Sequence, residues 1–394
     1  MEDASLHVQT CAQSTQFLSL AQAIDVQQVI RTAVAVQQIP APTFEERQRA
    51  EYVLDRFVAA GLRDVGIDSL HNAIGRWPGA DPKRPALLVS AHTDTVFPAP
   101  TVLTVREESG RMYGPGLGDN SLGVAALIAL AELLAVHDIH APADIWFVAN
   151  SREEGLGNLD GIRAVWDTLG ARLAAAIVVE GMALGRVYHA GIAVRRLRVV
   201  CRAPGGHSWL HFGQPSAVHG LIDAAARITA LTPPNEPRTT YNIGLIHGGH
   251  SVNSLATEAE LYLDLRSEDP ACLRDFEQTV RDCIDTAARA PQLDFATTVV
   301  GDRPAGQIAS THPLVRMATT ALSQIGMSAV CQRGSTDANA LLANGLPTVT
   351  VGVAHGAHSH REDEYIETAP IARGLRQLLL LLSAANWDFS TGRG

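Results

Sequence analysis

Short apolar runs that alternate with longer helical patterns are the feature that most restricts how this chain can fold. Residues 85–91, 145–149 and 176–179 are apolar runs of strand length, as expected for buried parallel strands. Residues 44–61 and 121–137 have the apolar spacing or the Ala/Leu content of helices. Strands and helices that alternate in this way predict an α/β domain with a mostly parallel sheet.

The middle of the chain follows a different pattern. Residues 187–202 alternate polar and apolar residues, and strand-like and helix-like stretches continue to about residue 300. The α/β pattern returns with a helical stretch at 312–325 and an apolar run at 348–352. The sequence therefore predicts an α/β domain that is interrupted by an inserted α+β domain. The predicted domain boundaries are residues 1–185 and 303–394 for the α/β domain and 186–302 for the insertion.

Length and composition argue against several classes of protein. A chain of 394 residues is too long for one compact core and suits two domains. Its net charge of −10 argues against a nucleic-acid partner, and the lack of a long apolar run argues against a membrane span. The five cysteines include no C-x-x-C pair, and the N-terminal region has no secretory signal pattern. We therefore expect a cytoplasmic protein.

Histidine and acidic side chains follow the predicted core strands. His92 and Asp94 come directly after the run 85–91, and Glu180 follows the run 176–179. Because the carboxyl ends of parallel strands meet at one edge of a sheet, we expect such side chains to lie close together. The full set of candidates is His92, Asp94, Asp119, Glu153, Glu154, Glu180, His355, His358 and His360.

Each candidate has an ordinary structural explanation when it is taken alone. A histidine in an H-x-D sequence is usually hydrogen-bonded within the core, an aspartate before a helix is usually a cap, and neighbouring glutamates usually face solvent. Together, however, two histidines and several carboxylates at one edge would lose solvation and repel one another unless a cation joined them. Histidine and carboxylate ligands without a thiolate suit two Zn²⁺ ions, with Mn²⁺ or Co²⁺ as alternatives.

A pair of metal ions at this edge indicates hydrolysis. Two zinc ions can polarise a carbonyl and share one hydroxide, and an acid outside the coordination sphere then moves a proton to the leaving amine. The neighbouring Glu153 and Glu154 could supply one base and one ligand. Asp94, two residues after His92, could accept a hydrogen bond from the imidazole and fix its tautomer.

Eight segments occur in the order that one enzyme family has. They are SAHTDTVF (90–97), GPGLGDNSLGVAAL (114–127), SREEGLGNLDG (151–161), VVEG (178–181), GGHSW (205–209), GGHSVNSLA (248–256), DLRSED (264–269) and RGSTDANALLANGLPTV (333–349). With these segments the chain resembles the M20 metallopeptidase family, the group of aminoacylase, carboxypeptidase G2, succinyl-diaminopimelate desuccinylase and peptidase T relatives. The resemblance implies a zinc-peptidase-like catalytic domain that is interrupted by an α+β dimerisation (lid) domain.

The resemblance also implies a role for most of the candidate residues. Glu153 would be the general acid/base, and Asp94 would orient a ligand. Asp119 would bridge two zinc ions and would be followed by a peptide bond that is commonly cis in this family. The implied zinc ligands are His92, Asp119, Glu154, Glu180 and a C-terminal histidine.

Two histidines compete for the place of the last ligand. The Ala-His-Ser sequence around His358 resembles the family ligand, while the Glu-Tyr-Ile sequence that follows His360 favours that residue instead. We expect His358 to be the ligand, with His360 as the alternative. His355 is expected to lie in a loop or behind the ligands.

Four residues of the predicted insertion and its border resemble substrate contacts of the family. His207 resembles a histidine that reaches a substrate carbonyl oxygen, often across a dimer interface. Asn253 and Arg266 resemble substrate-contacting residues, and Arg303 is a candidate for a substrate carboxylate because its planar guanidinium matches that group. For the last three, a structural hydrogen bond or ion pair remains an equal alternative. The resemblance further implies a homodimer.

The resulting prediction is hydrolysis of the amide bond of a small peptide or N-acyl amino acid by a hydroxide bound to two zinc ions. Glu180, where aminopeptidase-type relatives tend to carry Asp, favours carboxypeptidase or N-acyl-amino-acid hydrolase activity by analogy. The alternatives are an aminopeptidase or tripeptidase of the same family and a non-catalytic relative that binds metal and peptide. A glycoside hydrolase fits poorly because adjacent glutamates cannot flank a sugar bond, and no G-x-S-x-G sequence supports a serine hydrolase.

Overall fold

The computed structural model of the chain describes residues 4–390. Contacts between residues divide it into two compact units. The first unit contains the described residues up to Gly191 and from Gly306 onward, and the second contains Ile192–Ala305.

The helices and strands of both units are numbered along the chain. The helices are α1 (Ala4–Gln13), α2 (Thr15–Gln22), α3 (Val26–Gln37), α4 (Arg47–Ala59), α5 (Leu122–Val136), α6 (Asp160–Leu169), α7 (Ala217–Thr229), α8 (Pro270–Ala288), α9 (Pro313–Gln324), α10 (Ala338–Ala343) and α11 (Ile371–Ser390). The strands are β1 (Arg63–Ile67), β2 (Ala73–Trp77), β3 (Ala86–His92), β4 (Arg106–Glu108), β5 (Arg111–Tyr113), β6 (Ile145–Asn150), β7 (Leu173–Glu180), β8 (Arg186–Gly191), β9 (Ala193–Arg202), β10 (Gly206–His207), β11 (Thr239–Gly248), β12 (Ser254–Leu255), β13 (Glu258–Ser267), β14 (Asp294–Arg303), β15 (Val330–Gly334), β16 (Thr348–Gly352), β17 (Gly356–Ala357) and β18 (Tyr365–Glu367).

An eight-stranded sheet forms the centre of the first unit. Its strand order is β1-β2-β6-β3-β7-β16-β8-β15, and the four central strands β6, β3, β7 and β16 are parallel. The predicted α/β domain with a mostly parallel sheet is confirmed. Since β6, β3 and β7 are neighbours that run the same way, their carboxyl ends lie side by side.

Strand β3 shows why this sheet is buried on both faces. All seven of its residues are buried, and successive side chains point to opposite faces of a strand. Leu87 and Val89 accordingly join one apolar core, while Ala86 and Leu88 join the other. Continuous apolar runs are therefore what this sheet requires.

Helix α5 is the most apolar helix of the first core. Ten of its fifteen residues are buried, which explains why the sequence shows no polar face. Among the described residues, the segment Leu117–Val136 is the one helical stretch long and apolar enough to cross a membrane. It is 67% buried inside the protein, as a core helix is.

The second unit is an antiparallel sheet covered by two helices. The strand order is β11-β13-β9-β14, and α7 and α8 pack on β9 and β13. Burial alternates along β13, with Leu261, Leu263 and Leu265 facing the helices. A separate pair of short strands, β10 and β12, brings Gly206–His207 beside Ser254–Leu255.

The edges of the inserted unit differ from the predicted 186–302. Residues 186–191 form β8, which pairs with β15 and β16 and therefore belongs to the large sheet. The alternating pattern at 187–202 thus covers two strands in two different sheets. At the other end, Arg303 pairs with Val194 of β9, so the insertion extends to Ala305.

Candidate metal centre

Three adjacent strands carry the candidate side chains to one edge of the large sheet. His92 is the last residue of β3, Glu180 is the last residue of β7, and Glu153 and Glu154 follow the end of β6. Asp119 lies in the irregular helical turn Leu117–Ser121 that precedes α5. The sequence prediction that these acids and this histidine meet at one edge matches their position.

Asp119 lies between two groups of side chains. His92 Nε2 is 3.2 Å from Asp119 Oδ1 and 3.7 Å from Glu180 Oε2. On the other side, His360 Nε2 is 3.3 Å from Asp119 Oδ2 and 3.0 Å from Glu154 Oε1. Each oxygen of the Asp119 carboxylate therefore faces a different histidine. The peptide bond between Asp119 and Asn120 is cis.

The residues also meet the distance requirement for binding metal ions. Among the described residues, three groups have potential ligand atoms within 4.8 Å of one another. These groups are His92, Asp119 and Glu180; Asp119, Glu154 and His360; and His92, Glu153 and Glu154. Two of them share Asp119, and all offer imidazole nitrogen and carboxylate oxygen, the donors that zinc accepts.

The electrostatics of the cluster call for positive charge. Burial, and then the negative charge of Asp119, raises the pKa of Glu154 to about 7, and burial raises the pKa of Glu180 to about 7. Hydrogen bonds to Asp119 and Glu154 raise the pKa of His360 to about 10. Burial lowers the pKa of His92, but the charge of Glu180 and the hydrogen bond to Asp119 raise it well above its usual value. Divalent cations would supply the charge that protons otherwise supply here.

Asp94 holds the glutamate pair in place. Its Oδ1 accepts a hydrogen bond from the Glu153 backbone N–H at 2.9 Å, and its Oδ2 accepts one from the Glu154 N–H at 2.8 Å. The Thr43 hydroxyl donates to Oδ2 at 2.9 Å. Burial would raise the pKa of Asp94, but the interaction with nearby His92 and the hydrogen bonds from the two backbone N–H groups lower it. The carboxylate therefore joins the ends of β3 and β6.

The contact between Asp94 and His92 differs in detail from the predicted one. His92 Nδ1 is 3.1 Å from the backbone oxygen of Asp94 and 3.6 Å from its carboxylate. A carbonyl oxygen can only accept, so Nδ1 carries a hydrogen, and in the neutral ring Nε2 would offer its lone pair on the side of Asp119 and Glu180. The predicted tautomer of His92 is thus favoured by the backbone oxygen of Asp94 and not by its carboxylate.

The structure brings His360, and not the preferred His358, to the cluster. Both lie in the loop between β17 and β18. His358 is exposed, its Nδ1 is 2.9 Å from Asp363 Oδ2, and its ring contacts the edge of Tyr365. Both side chains are largely exposed, but the position of His360 beside Asp119 and Glu154 favours it, the alternative, as the last ligand. His355 lies just after β16, and its backbone oxygen accepts from the Glu367 N–H.

Two supporting residues emerge only from the structure. Asn120 Nδ2 donates to the Val179 backbone oxygen at 2.8 Å, and its Oδ1 accepts from the Gly181 N–H at 2.8 Å. Asn120 therefore hydrogen-bonds the residues on both sides of Glu180. Glu364 Oε1 accepts from the N–H groups of Gly118 at 2.6 Å and Asp119 at 3.0 Å. Burial raises the pKa of Glu364 to about 8. In the sequence, Glu364 served only to indicate which of the two histidines is the last ligand, and no role was predicted for Glu364 itself.

The predicted substrate contacts fall in the second unit. His207 is exposed on β10, and the N–H of the next residue, Ser208, donates to the Asn253 backbone oxygen at 3.0 Å, so His207 and Asn253 are neighbours. Arg266 Nε donates to Asp264 Oδ1 at 2.6 Å, which favours a structural role. Arg303 is buried at the end of β14.

Comparisons with known proteins agree with this fold. Residues 88–384 match the family described as peptidase family M20/M25/M40. Acetylornithine deacetylase of Klebsiella pneumoniae (strain 342) is 24% identical over 372 residues, which cover 86% of this chain and 92% of that protein. Among solved structures, the di-peptidase Dug1p of Saccharomyces cerevisiae has a TM-score of 0.77 at 13% identity and covers 95% of this chain and 99% of its own. A tripeptidase of Staphylococcus aureus has a TM-score of 0.74 at 22% identity, with 92% and 99% covered.

These matches confirm the resemblance found in the sequence. The chain belongs to peptidase family M20/M25/M40 and is a hydrolase of that family. Family membership also removes the support for a glycoside hydrolase or a serine hydrolase.

The two competing histidines provide a direct test of the site. We expect His360→Ala to lower the zinc bound per chain by about half, because it removes a nitrogen donor from one of the two groups that share Asp119. His358→Ala is the matched control from the same loop and should retain the wild-type zinc content. Mass spectrometry of metal content after dialysis measures both, and the reverse result would restore His358 as the ligand.

The metal affinity should depend on pH. Glu154 and Glu180, with pKa values of about 7, carry protons increasingly as the pH falls below 7, and a metal ion must displace those protons. We therefore expect the zinc dissociation constant to rise by about tenfold or more between pH 8 and pH 6. Competition with a chelator of known proton affinity measures the change, and a constant affinity across this range would contradict the assignment.

Proposed function

We propose that the protein is a metal-dependent hydrolase that cleaves the amide bond of a small peptide or an N-acyl amino acid. The observation that carries the proposal is the Asp119 carboxylate, whose two oxygens face two histidine–carboxylate groups, with Glu153 beside them. The names of the relatives (a deacetylase, a dipeptidase and a tripeptidase) all denote hydrolysis of an amide bond. An aminopeptidase or tripeptidase, or a non-catalytic binding relative, is the alternative within the same family.

Two zinc ions, or Mn²⁺ or Co²⁺, are the proposed cofactors. His92 and Glu180 would hold one ion, Glu154 and His360 would hold the other, and Asp119 would contact both. When bound, such a pair supplies Lewis-acid polarisation of the amide carbonyl and makes water more acidic. The nitrogen and oxygen donors and the short distances among these side chains support this assignment.

Glu153 is the proposed general acid/base. Its side chain is buried, and a carboxylate oxygen lies within 4.8 Å of ligand atoms of both His92 and Glu154. From that position the carboxylate can take a proton from water and return it to the leaving amine. Asp94 fixes the backbone N–H of Glu153, so it acts as a positioning residue for the base as well as for His92.

The second unit would supply contacts to the substrate. His207 is exposed and adjacent to Asn253, which suits a pair of polar side chains that hydrogen-bond a substrate oxygen. Arg266 and Arg303 remain candidates for a substrate carboxylate, and the ion pair of Arg266 with Asp264 weighs against the first of them. A cytoplasmic location remains part of the proposal.

A homodimer is proposed on the basis of the exposed surface of the second unit. Trp209 and Phe212 are 83% and 91% exposed, and β11 is an edge strand with exposed Leu245 and Ile246. Exposed apolar side chains and an outer strand of a sheet are each typical of a surface that a second copy covers.

Removal of the proposed base tests the mechanism. Glu153→Gln should lower kcat by about 10²–10⁴-fold, because an amide cannot take up the proton, while zinc content stays unchanged. Glu107→Gln on exposed β4 is the matched control and should leave kcat unchanged. Steady-state kinetics on dipeptides and N-acyl amino acids, paired with metal analysis, measure both effects. A loss of less than about tenfold would show that another group moves the proton.

The dimer has its own test. Light scattering of the wild-type chain at micromolar concentration should give twice the monomer mass. Ile246→Lys should weaken association by about tenfold or more, because it puts a charge on the edge strand. Val102→Lys, an equally drastic change at an exposed position of the first unit, should have no effect. A monomeric wild type would contradict the proposal.

A further inference from the structure

A short segment between α3 and α4 lies directly against the candidate metal centre. The Thr43 hydroxyl donates to Asp94 Oδ2 at 2.9 Å and is 3.4 Å from the backbone oxygen of Glu154. Thr43 therefore touches both the residue that holds the glutamate pair and a candidate ligand. The next residue along the chain is Phe44.

The backbone of Phe44 is held in a conformation that bulky residues rarely adopt. Its φ is +82°, in the left-handed region that favours glycine. The Phe44 N–H donates to Oε1 of the buried Glu46 at 2.8 Å, and the Arg152 N–H donates to the same oxygen at 3.2 Å. Glu46 therefore connects the backbone of Phe44 with that of Arg152, the residue that immediately precedes Glu153.

The side chain of Phe44 is not used in the core. Its exposed fraction is 48%. The guanidinium carbon of Arg152 lies 5.2 Å from the centre of the ring, within the range of a cation–π contact. About half of this large apolar residue is therefore open to solvent and available to contact a bound molecule. Backbone strain of this kind is typical of residues that serve a site.

We propose that Phe44 determines substrate specificity. The segment that carries its ring contacts the candidate centre through Thr43, and the Arg152 guanidinium lies over the ring. The substrates it favours are peptides or N-acyl amino acids with an aromatic or branched aliphatic group next to the scissile amide, because such groups gain most from contact with an apolar ring. This inference rests on the proposed amide hydrolysis and adds the substrate class to it.

The test compares two matched series of substrates. Within each pair, one dipeptide or N-acyl amino acid carries a phenyl group next to the amide and the other carries a methyl group. Phe44→Gly removes the ring, and glycine adopts a φ of +82° without strain, so the variant should fold. The ratio of kcat/KM for the phenyl substrate to that for the methyl substrate should fall by about tenfold or more.

Two further variants make the result unambiguous. Phe44→Leu keeps an apolar side chain and should give a ratio between those of Phe44→Gly and the wild type. Val58→Ala changes an exposed apolar residue on α4 and should leave the ratio at the wild-type value. A purely structural role for Phe44 would lower both kcat/KM values together and leave their ratio constant.

The possible failures can be told apart. If the wild-type protein hydrolyses no substrate in either series after zinc is added, the proposed function is overturned and the specificity role falls with it. If the wild type is active and both Phe44 variants keep the ratio within about twofold, the specificity role alone is overturned. A fall in the ratio for both variants supports it.

Discussion

The carboxylate of Asp119 is the interaction on which the candidate site depends. One of its oxygens faces His92, and the other faces His360, so two histidine–carboxylate groups share a single acid. Such an arrangement places several charges at short distance in a mostly buried space, which is costly unless cations or protons compensate. Burial is the main cause of the raised pKa values of Glu154 and Glu180, and the negative charge of Asp119 adds to it.

The cluster keeps its geometry because neighbouring side chains hydrogen-bond the backbone segments that carry most of its members. Asp94 accepts hydrogen bonds from the two backbone N–H groups of the glutamate pair. Asn120 hydrogen-bonds the residues on both sides of Glu180, and Glu364 accepts a hydrogen bond from the turn that carries Asp119. These three residues connect segments that are distant in sequence. Ligands that could repel one another are thereby kept at distances suitable for metal binding.

The sequence was most informative where a local pattern decides the structure. The continuous apolar runs predicted β3, β6 and β7, and the acids and histidine that follow those strands meet at one edge. It was less informative where the outcome depends on distant contacts. His358 and His360 occupy the same loop, and which one reaches the cluster depends on contacts between that loop and distant segments, such as the hydrogen bonds from the Asp119 turn to Glu364. Likewise, alternation continues through residues 187–202, although β8 and β9 belong to different sheets.

The insertion of the second unit has a consequence for biosynthesis. The large sheet is completed only when β16 takes its place between β7 and β8, and His360 lies still further along the chain. A nascent chain that has emerged as far as residue 305 would already expose His92, Asp119 and the three glutamates but would lack the last histidine. Sheet closure across such a sequence separation is slow relative to local folding. The last histidine therefore joins the other candidate ligands only after the C-terminal segment has been synthesised and has docked, so the complete set of donors forms late in the folding of the chain.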